Sequence, residues 1–316
     1  MRNPIHGSHA GPMQGGQVCA VVVTHHPDMA MLPALLECIG PQVGRVLVVD
    51  NASSTETVER LQRGAWPANV TVVANADNLG IGAAFNQAAT WAGEQGLDHL
   101  LLLDQDSLPA PDMVAQLLAA LATASAEAPT AAVGPRFVDE RSGQPAPFVR
   151  IGFPLNDKIQ CADDAVLECD FLISSGTLVP LRVLEAIGAM DESLFIDNID
   201  LEWSFRARHA GYRLLGVGAA RMRHCIGDSV QALPWGMDGI IVHSPTRLYY
   251  MMRNRLLLYR LAHTPRIWIA QDIPRVVFKF LRLSLLVAPR ATNARFMLAG
   301  LRDGLRRRAG PLRINS

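Results

Sequence analysis

A run of four leucines, Leu100 to Leu103, ends in Asp104-Gln105-Asp106. Two carboxylates one residue apart, at the end of a buried apolar strand, converge on one point if the chain turns there. Hard oxygen donors of this kind suit Mg2+ or Mn2+, which then binds substrate phosphates. Alone, such a pair is as readily a solvated turn, so its weight depends on its company. A second acidic group lies at Asp197-Asn198-Ile199-Asp200-Leu201-Glu202. Asp197 and Asp200, three apart, share a face if a helix starts there. One of them could take the proton of an attacking hydroxyl. Capping a helix dipole accounts for one acid in this group, but not for three.

Other groups fit the same chemistry. Asp50 follows the apolar run Arg45 to Val49 and could accept the N3–H of uracil or thymine, or simply cap the next helix. Asn78-Leu79-Gly80-Ile81-Gly82 places glycines at a helix start, where backbone N–H groups can face an anion. His224, after a strand-like run, is a candidate metal ligand or phosphate contact, and His25 and His26 are weaker candidates. No GxGxxG follows the first strand and no Walker lysine is present, so ordinary dinucleotide binding and P-loop hydrolysis lose support.

These groups need a scaffold that gathers strand ends. Val18 to Val23, Arg45 to Val49, Val70 to Ala74 and Leu100 to Leu103 read as buried strands. Between them, Met29 to Cys38, a stretch from Ser54 or Thr55 through Leu61, and one from Asn78 to about Ala92 read as helices. Four β–α units predict an α/β fold with an open, mostly parallel sheet flanked by helices and ligands beyond the carboxyl ends of its strands. Every polar cluster of this half falls at such an end. Farther on, Ala131 to Phe137 reads as a strand, and Cys169 to Ile173 leads into Ser174-Ser175-Gly176. Pro180 to Ile187 reads as a helix stopped by Gly188, Asp200 to Ala210 as a helix closed by Gly211, and Tyr212 to Val217 as a strand.

With 49% hydrophobic and 18% charged residues, the 316-residue chain is ordinary for a globular enzyme, which excludes disorder for most of its length. The formal net charge of zero hides a split. Of 29 Lys and Arg, 15 follow residue 244, where only Asp272 and Asp303 are acidic. Three parts are expected: a flexible tail over 1–16, an α/β domain over 17–245, and a C-terminal basic, amphipathic helical extension over 246–316. Ile267 to Ala288 is interrupted by Asp272, Arg275, Lys279 and Arg282, so it does not read as a transmembrane helix. It reads either as a lid on the catalytic domain or as a segment lying on an anionic membrane surface. The five scattered cysteines, with no CxxC pair, fit a reducing cytoplasm.

In order and spacing these segments resemble the family-2 glycosyltransferases of the GT-A fold, and especially their bacterial rhamnosyltransferase branch. That branch includes enzymes of rhamnose-containing polysaccharides and the one that adds the second rhamnose of rhamnolipids. The resemblance runs from Val18 to Arg255. It is carried by Val48-Val49-Asp50-Asn51-Ala52-Ser53, Asn78-Leu79-Gly80-Ile81-Gly82 with Phe85-Asn86-Gln87, and Leu103-Asp104-Gln105-Asp106-Ser107. Phe171 to Gly176, Leu194 to Asp197 with Asp200 and Glu202, His224 with Ile226-Gly227, and Arg247 to Tyr250 with Arg253-Asn254 complete it.

The resemblance implies a GT-A sheet, a dTDP-L-rhamnose donor, a Mg2+ or Mn2+ ion, and inverting transfer to a glycan or glycolipid acceptor. It implies that Thr24, Asp50, Asn51, Asn78, Gly80, Asn86, Asp104 and Arg253 surround the nucleotide sugar. Asp104, Asp106 and His224 would hold the metal, and Ser174, Ser175 and Gly176 would border the acceptor. Many members carry a Glu-Asp pair whose Asp is the base, whereas the matching position here is Asn198. Asparagine cannot accept that proton. Asp197 or Asp200 must then serve, with Asp197 the first choice. A lipid-linked acceptor would suit a cytoplasmic protein in peripheral contact with the inner membrane, and the acidic catalytic half argues against a nucleic-acid partner. Two other functions compete. A nucleotidyltransferase would bring a glycine-rich loop with Arg and Lys near the first strand, where Thr24-His25-His26-Pro27 stands instead. A non-catalytic sugar-nucleotide-binding protein would have no need of both acidic clusters.

Overall fold

The computed structural model describes residues 15–139, 143–224, 229–231 and 240–312. The tail expected over 1–16 lies outside them except for Gly15 and Gly16, which enter a short 3-10 turn. The four apolar runs form β1 (Val18–Thr24), β2 (Arg45–Asn51), β3 (Val70–Asn75) and β4 (His99–Asp104). They are joined by α1 (Leu32–Ile39), α2 (Thr55–Arg63) and α3 (Ile81–Glu94). Ser54 caps α2 by accepting the Thr57 N–H. Side chains of a strand alternate between faces, so a run apolar at every position buries both. Cys19, Val21 and Val23 of β1 join a core with Phe85 of α3, while Val18, Ala20 and Val22 join a second core with Leu32 and Leu36 of α1.

The chain continues through β5 (Leu108–Pro109), α4 (Met113–Glu127), β6 (Thr130–Asp139), the paired β7 (Phe148–Arg150) and β8 (Asp157–Ile159), and β9 (Val166–Cys169). Then come β10 (Leu178–Pro180), α5 (Leu181–Ile187), α6 (Ile199–His209) and β11 (Arg213–His224). The large sheet runs β3-β2-β1-β4-β10-β6-β11-β5, with β9 beside β11. β1 to β4 are mutually parallel, but β10 is antiparallel to both β4 and β6. The expected mostly parallel sheet flanked by helices is present. α4 and β10 are two of the elements that the sequence reading did not name. α4 was not foreseen, although Met113, Val114, Leu117, Leu118 and Leu121 recur at helical spacing and are buried under the sheet. β10 occupies the segment before a helix, where three residues are too few to show a strand period.

A small hairpin, β12 (Ser229–Gln231) with β13 (Ile240–Val242), precedes the helices α7 (Pro245–Leu258), α8 (Arg266–Leu286) and α9 (Arg290–Leu305). α8 docks at its start on the catalytic half, where Trp268 meets Phe205 edge-on at 5.3 Å. Asp272 there accepts hydrogen bonds from Arg255 (2.9 Å) and the Tyr259 hydroxyl (2.7 Å). Among the described residues, no helix is long and apolar enough to cross a membrane.

Candidate active site

Strand register sets the geometry first. Thr24 pairs with Asp50 across β1 and β2, and Val23 pairs with Asp104 across β1 and β4, so the three polar residues emerge together at the carboxyl ends. Asp50 is fully buried there. Its Oδ1 accepts from the hydroxyls of Thr24 (2.9 Å) and Ser53 (2.6 Å), and its Oδ2 from the Ser53 N–H (2.8 Å). A carboxylate offers about four lone-pair sites, so three are filled within the chain. The His25 N–H donates to Gln105 Oε1 at 2.9 Å, which ties the loop after β1 to the acidic turn after β4.

Asn51, Asn78 and Gly80 build one wall of this end. The Asn51 amide donates to Gly80 O and accepts from Asn75, both at 3.0 Å. Asn78 Oδ1 accepts the Gly80 N–H at 3.0 Å, and the Ile81 N–H donates to Phe195 O at 2.8 Å. Gly80 has φ +86°, and a Cβ there would stand 2.4 Å from Phe195 O, so only glycine fits this approach. The first donors of this helix start are therefore spent inside the protein. Asn86 is likewise engaged, donating to Met190 O (2.9 Å) and Glu192 (2.8 Å) and accepting the Met190 N–H (2.9 Å). It clamps α3 to the chain leading into the second acidic cluster.

Asp104 and Asp106 are half-buried at the end of β4. The Ser174-Ser175-Gly176 turn is strapped to that end. The Asp104 N–H donates to Ser175 Oγ (3.3 Å), the Gly176 N–H to Leu102 O (2.7 Å), and the Ser107 and Ser175 hydroxyls hydrogen-bond each other. Gly176 has φ +84° and a Cβ there would meet Pro135 Cγ at 2.4 Å, so the turn closes on β6 only with glycine. Among the described residues no three His, Cys, Asp or Glu gather as a metal cage. Mg2+ is commonly held by one or two carboxylates with substrate phosphates, a mode that suits Asp104 and Asp106. His224 closes β11, but its side chain lies outside the described residues, as do Ile226 and Gly227.

The second acidic cluster sits on a strained segment. Phe195, Asp197 and Asn198 have φ of 67°, 64° and 64°, a region that costs non-glycine residues about 1–3 kcal/mol each. The fully buried Asn254 of α7 compensates: its Nδ2 donates to the carbonyls of Leu194 (3.0 Å), Ile196 (2.8 Å) and Asp197 (2.8 Å). Arg253, also buried, donates to Leu194 O (2.8 Å), Asn254 Oδ1 (2.9 Å) and Gly310 O. Its guanidinium is thus spent on the frame of the site, at a place where the resemblance implied sugar-nucleotide contact.

The three acids differ in their surroundings. Glu202 is buried and paired two-pronged with Arg206 (3.0 and 2.8 Å). Asp197 accepts from Arg247. Asp200, at the start of α6, has no cationic partner among the described residues and accepts the main-chain N–H groups of Leu201 and Ser174. Burial pushes its carboxyl up to about 6, the charges of Asp197 and Asp104 push the same way, and the two N–H groups oppose. The structure therefore brings Asp104, Asp197, Asp200 and the Ser174 turn into one electrostatic neighbourhood. The supporting roles of Arg247 and Asn254 were missed in the sequence because their partners lie about 50 residues away. The only hint was their place in the Arg247 to Asn254 segment.

Residues 20–173 match the family described as Glycosyl transferase family 2. The dTDP-rhamnosyl transferase RfbF of Shigella flexneri is 32% identical over 305 residues, which is 95% of this chain and 99% of that protein. The chain belongs to glycosyl transferase family 2. Solved structures agree in fold. A crystal structure of Staphylococcus aureus TarS 1–349 in complex with UDP-GlcNAc superposes with a TM-score of 0.56 at 16% identity, covering 94% of this chain and 82% of that one. GalNAc-T7 with UDP, GalNAc and Mn2+ also gives 0.56, at 15% identity over 92% of this chain. This family-2 chain spans about half (56%) of the GalNAc-T7 structure. The family-2 glycosyltransferase thus has the expected GT-A architecture, and the acids of both clusters lie at the carboxyl side of its sheet.

Proposed function

We propose that this glycosyltransferase moves L-rhamnose from dTDP-L-rhamnose to a hydroxyl of a glycan or glycolipid acceptor, by a single inverting displacement. The observation that carries the reading is the meeting of the two acidic clusters across the Ser174 turn, with Asp104 acting on Asp200. A single displacement needs charge compensation on the leaving side and a base on the acceptor side, and these clusters divide the two tasks. The donor assignment is supported by the dTDP-rhamnosyl transferase of Shigella flexneri, to which the likeness runs along nearly the whole chain. Asp50, which accepts from Thr24, would take the thymine N3–H through its remaining lone-pair site, and Asp104 and Asp106 would hold Mg2+ or Mn2+. A divalent ion held there would supply several kcal/mol of charge stabilisation on the diphosphate.

Asp200, rather than the Asp197 first favoured on charge alone, is the general base. It lacks a cationic partner among the described residues, whereas Asp197 is ion-paired. A base with a pKa near the working pH is the more effective, and such a group contributes about 10²–10⁴-fold. Ser174, Ser175 and Gly176 border the acceptor hydroxyl.

The protein acts in the cytoplasm, on the inner face of the membrane. Ile273, Val277, Phe278, Leu281 and Leu285 are exposed along α8 between basic residues, a surface able to rest on anionic lipid. The test of the reaction is release of dTDP from dTDP-L-rhamnose, beside UDP-sugars, with Mg2+, Mn2+ or EDTA and lipid-extract acceptors. Metal-dependent release from dTDP-L-rhamnose is expected. Release from UDP-sugars alone would overturn the donor assignment, and recovery wholly in the soluble fraction at low salt would overturn the membrane contact.

A further inference from the structure

A cleft of about 470 Å³ opens beside Asp200, between Asn198 at the start of α6 and the basic face of α8. None of Asp50, Asp104 and Asp106 lines it, so it is separate from the donor end. Arg275, Lys279 and Arg282 line it at i, i+4 and i+7, which puts them on one helix face. Among the described residues none of the three has a carboxylate partner. Arg275 donates to Gln271 at 3.0 Å, and Lys279 Nζ reaches Met251 Sδ at 3.9 Å, a weak acceptor. Arg282 lies over the Phe278 ring at 5.8 Å, and its buried Nε has no hydrogen-bond partner in the chain.

Of the acids near this cleft, Asp272 is taken by Arg255 and Tyr259 and Asp197 by Arg247, and Asp200, which lines it, makes no ion pair with the three cations among the described residues. Two further atoms of the lining, Asn156 Oδ1 and Asn198 Nδ2, are buried without a partner in the chain. Buried polar atoms are nearly always hydrogen-bonded in a finished protein. Two such donors, Arg282 Nε and Asn198 Nδ2, beside cations without a carboxylate partner mark a place built to receive an anionic group, and the acceptor Asn156 Oδ1 suits a hydroxyl of the same ligand.

We infer that this cleft binds a phosphate or diphosphate carried by the acceptor, held by Arg275, Lys279 and Arg282 so that the acceptor hydroxyl faces Asp200. The inference rests on the proposed transfer reaction for the word acceptor, but not for the anion site itself. Three cations converging on one face call for more than a single negative charge, and guanidinium groups match phosphate oxygens in pairs. Burial and the neighbouring Arg255 hold the Lys279 ammonium down at about 8, a cost that an adjacent anion would relieve. The phosphate could belong to a lipid-linked sugar, whose chain would lie along Phe278 and Leu281, or to a water-soluble sugar phosphate.

Calorimetric titration of the full chain, saturated with dTDP and Mg2+ to fill the donor side, tests this. The probes are inorganic pyrophosphate, decyl phosphate and the uncharged octyl glucoside. Both phosphates should bind, and Lys279→Gln combined with Arg282→Gln should weaken them about tenfold or more, as expected for lost charge-assisted hydrogen bonds. Lys279→Arg should retain binding, which separates charge from fold. Tighter binding of decyl phosphate than of pyrophosphate supports the lipid-linked source, and equal binding the soluble one. Unchanged binding in the double variant, an equal loss in Arg306→Gln/Arg307→Gln/Arg308→Gln, or no binding to the unaltered chain overturns the site. Because the readout needs no transfer, phosphate binding without dTDP release from dTDP-L-rhamnose would sink the donor reading and leave this one standing.

Discussion

Arg247 grips Asp197, its Nε donating to both carboxylate oxygens at 3.1 and 3.2 Å. That contact separates two acids only three residues apart. Asp197 is ion-paired with a guanidinium, while Asp200 stands half-buried beside Asp197 and Asp104 with only main-chain donors. Desolvation and these negative charges raise the proton affinity of Asp200.

Asp200→Asn should lower kcat by about 10²–10⁴-fold, the usual contribution of a general base, with the KM for dTDP-L-rhamnose little changed. Asp197→Asn should cost less, because it removes an ion pair rather than the proton acceptor. Steady-state dTDP release by the two variants decides the matter. A larger loss in Asp197→Asn would return the role to Asp197.

The pH dependence follows from the same carboxyl. Asp200 must be ionised to accept a proton, and its pKa lies at about 6. Activity should thus rise with pH through an inflection near 6 and level off above 7. A profile that stays flat down to pH 4.5 would mean that a group of ordinary carboxylate pKa governs the reaction.

Stability should move in the opposite sense. A carboxyl raised from 3.8 to about 6 by folding favours the protonated form. Its stabilising contribution is complete below about pH 4 and is lost as pH rises through 6. Asn cannot ionise, so Asp200→Asn should gain roughly 1–3 kcal/mol over the unaltered chain at pH 7–8. The gain should vanish by pH 4. Urea unfolding at both pH values would reveal it.

Asn254→Ala should harm both stability and turnover. The amide of Asn254 satisfies three carbonyls of the segment that carries the left-handed Phe195, Asp197 and Asn198. Stranding buried carbonyls costs about 1–3 kcal/mol, and the relaxed segment would carry Asp197 and Asp200 out of place. A Tm drop of several degrees with a fall in kcat is expected. Full activity in a folded Asn254→Ala protein would show that the segment holds its own shape.

Much of the scaffold was legible along the chain. Strands β1 and β4 and most of β2 appear as unbroken apolar runs because they bury both faces, while the edge strand β3 shows as a β-branched run that includes the exposed Thr71. The caps of their helices appear because Ser54 and Gly211 are residue types that answer local backbone needs. α4 has its signal in the sequence too, since Asp112 stands just before apolar residues that recur at helical spacing. β10 left no trace, because its pairing with β4 and β6 is settled by chain segments distant in sequence.

By itself the amino-acid sequence determined the α/β architecture and marked Asp50, Asp104, Asp106, Asp197 and Asp200 as candidate chemical groups, because strand ends and helix starts are local events with local signals. Only the tertiary structure decided what each group is free to do. Arg253, Asn86 and Asn51, expected beside the nucleotide sugar, also hydrogen-bond within the frame, while Arg247 and Asn254, given no role from sequence, pair with Asp197 and brace the segment that carries it. Proton affinity and hydrogen-bond freedom depend on which groups meet in space. For Asp200 those neighbours come from β4, the Ser174 turn and its own helix, segments joined only when the sheet closes.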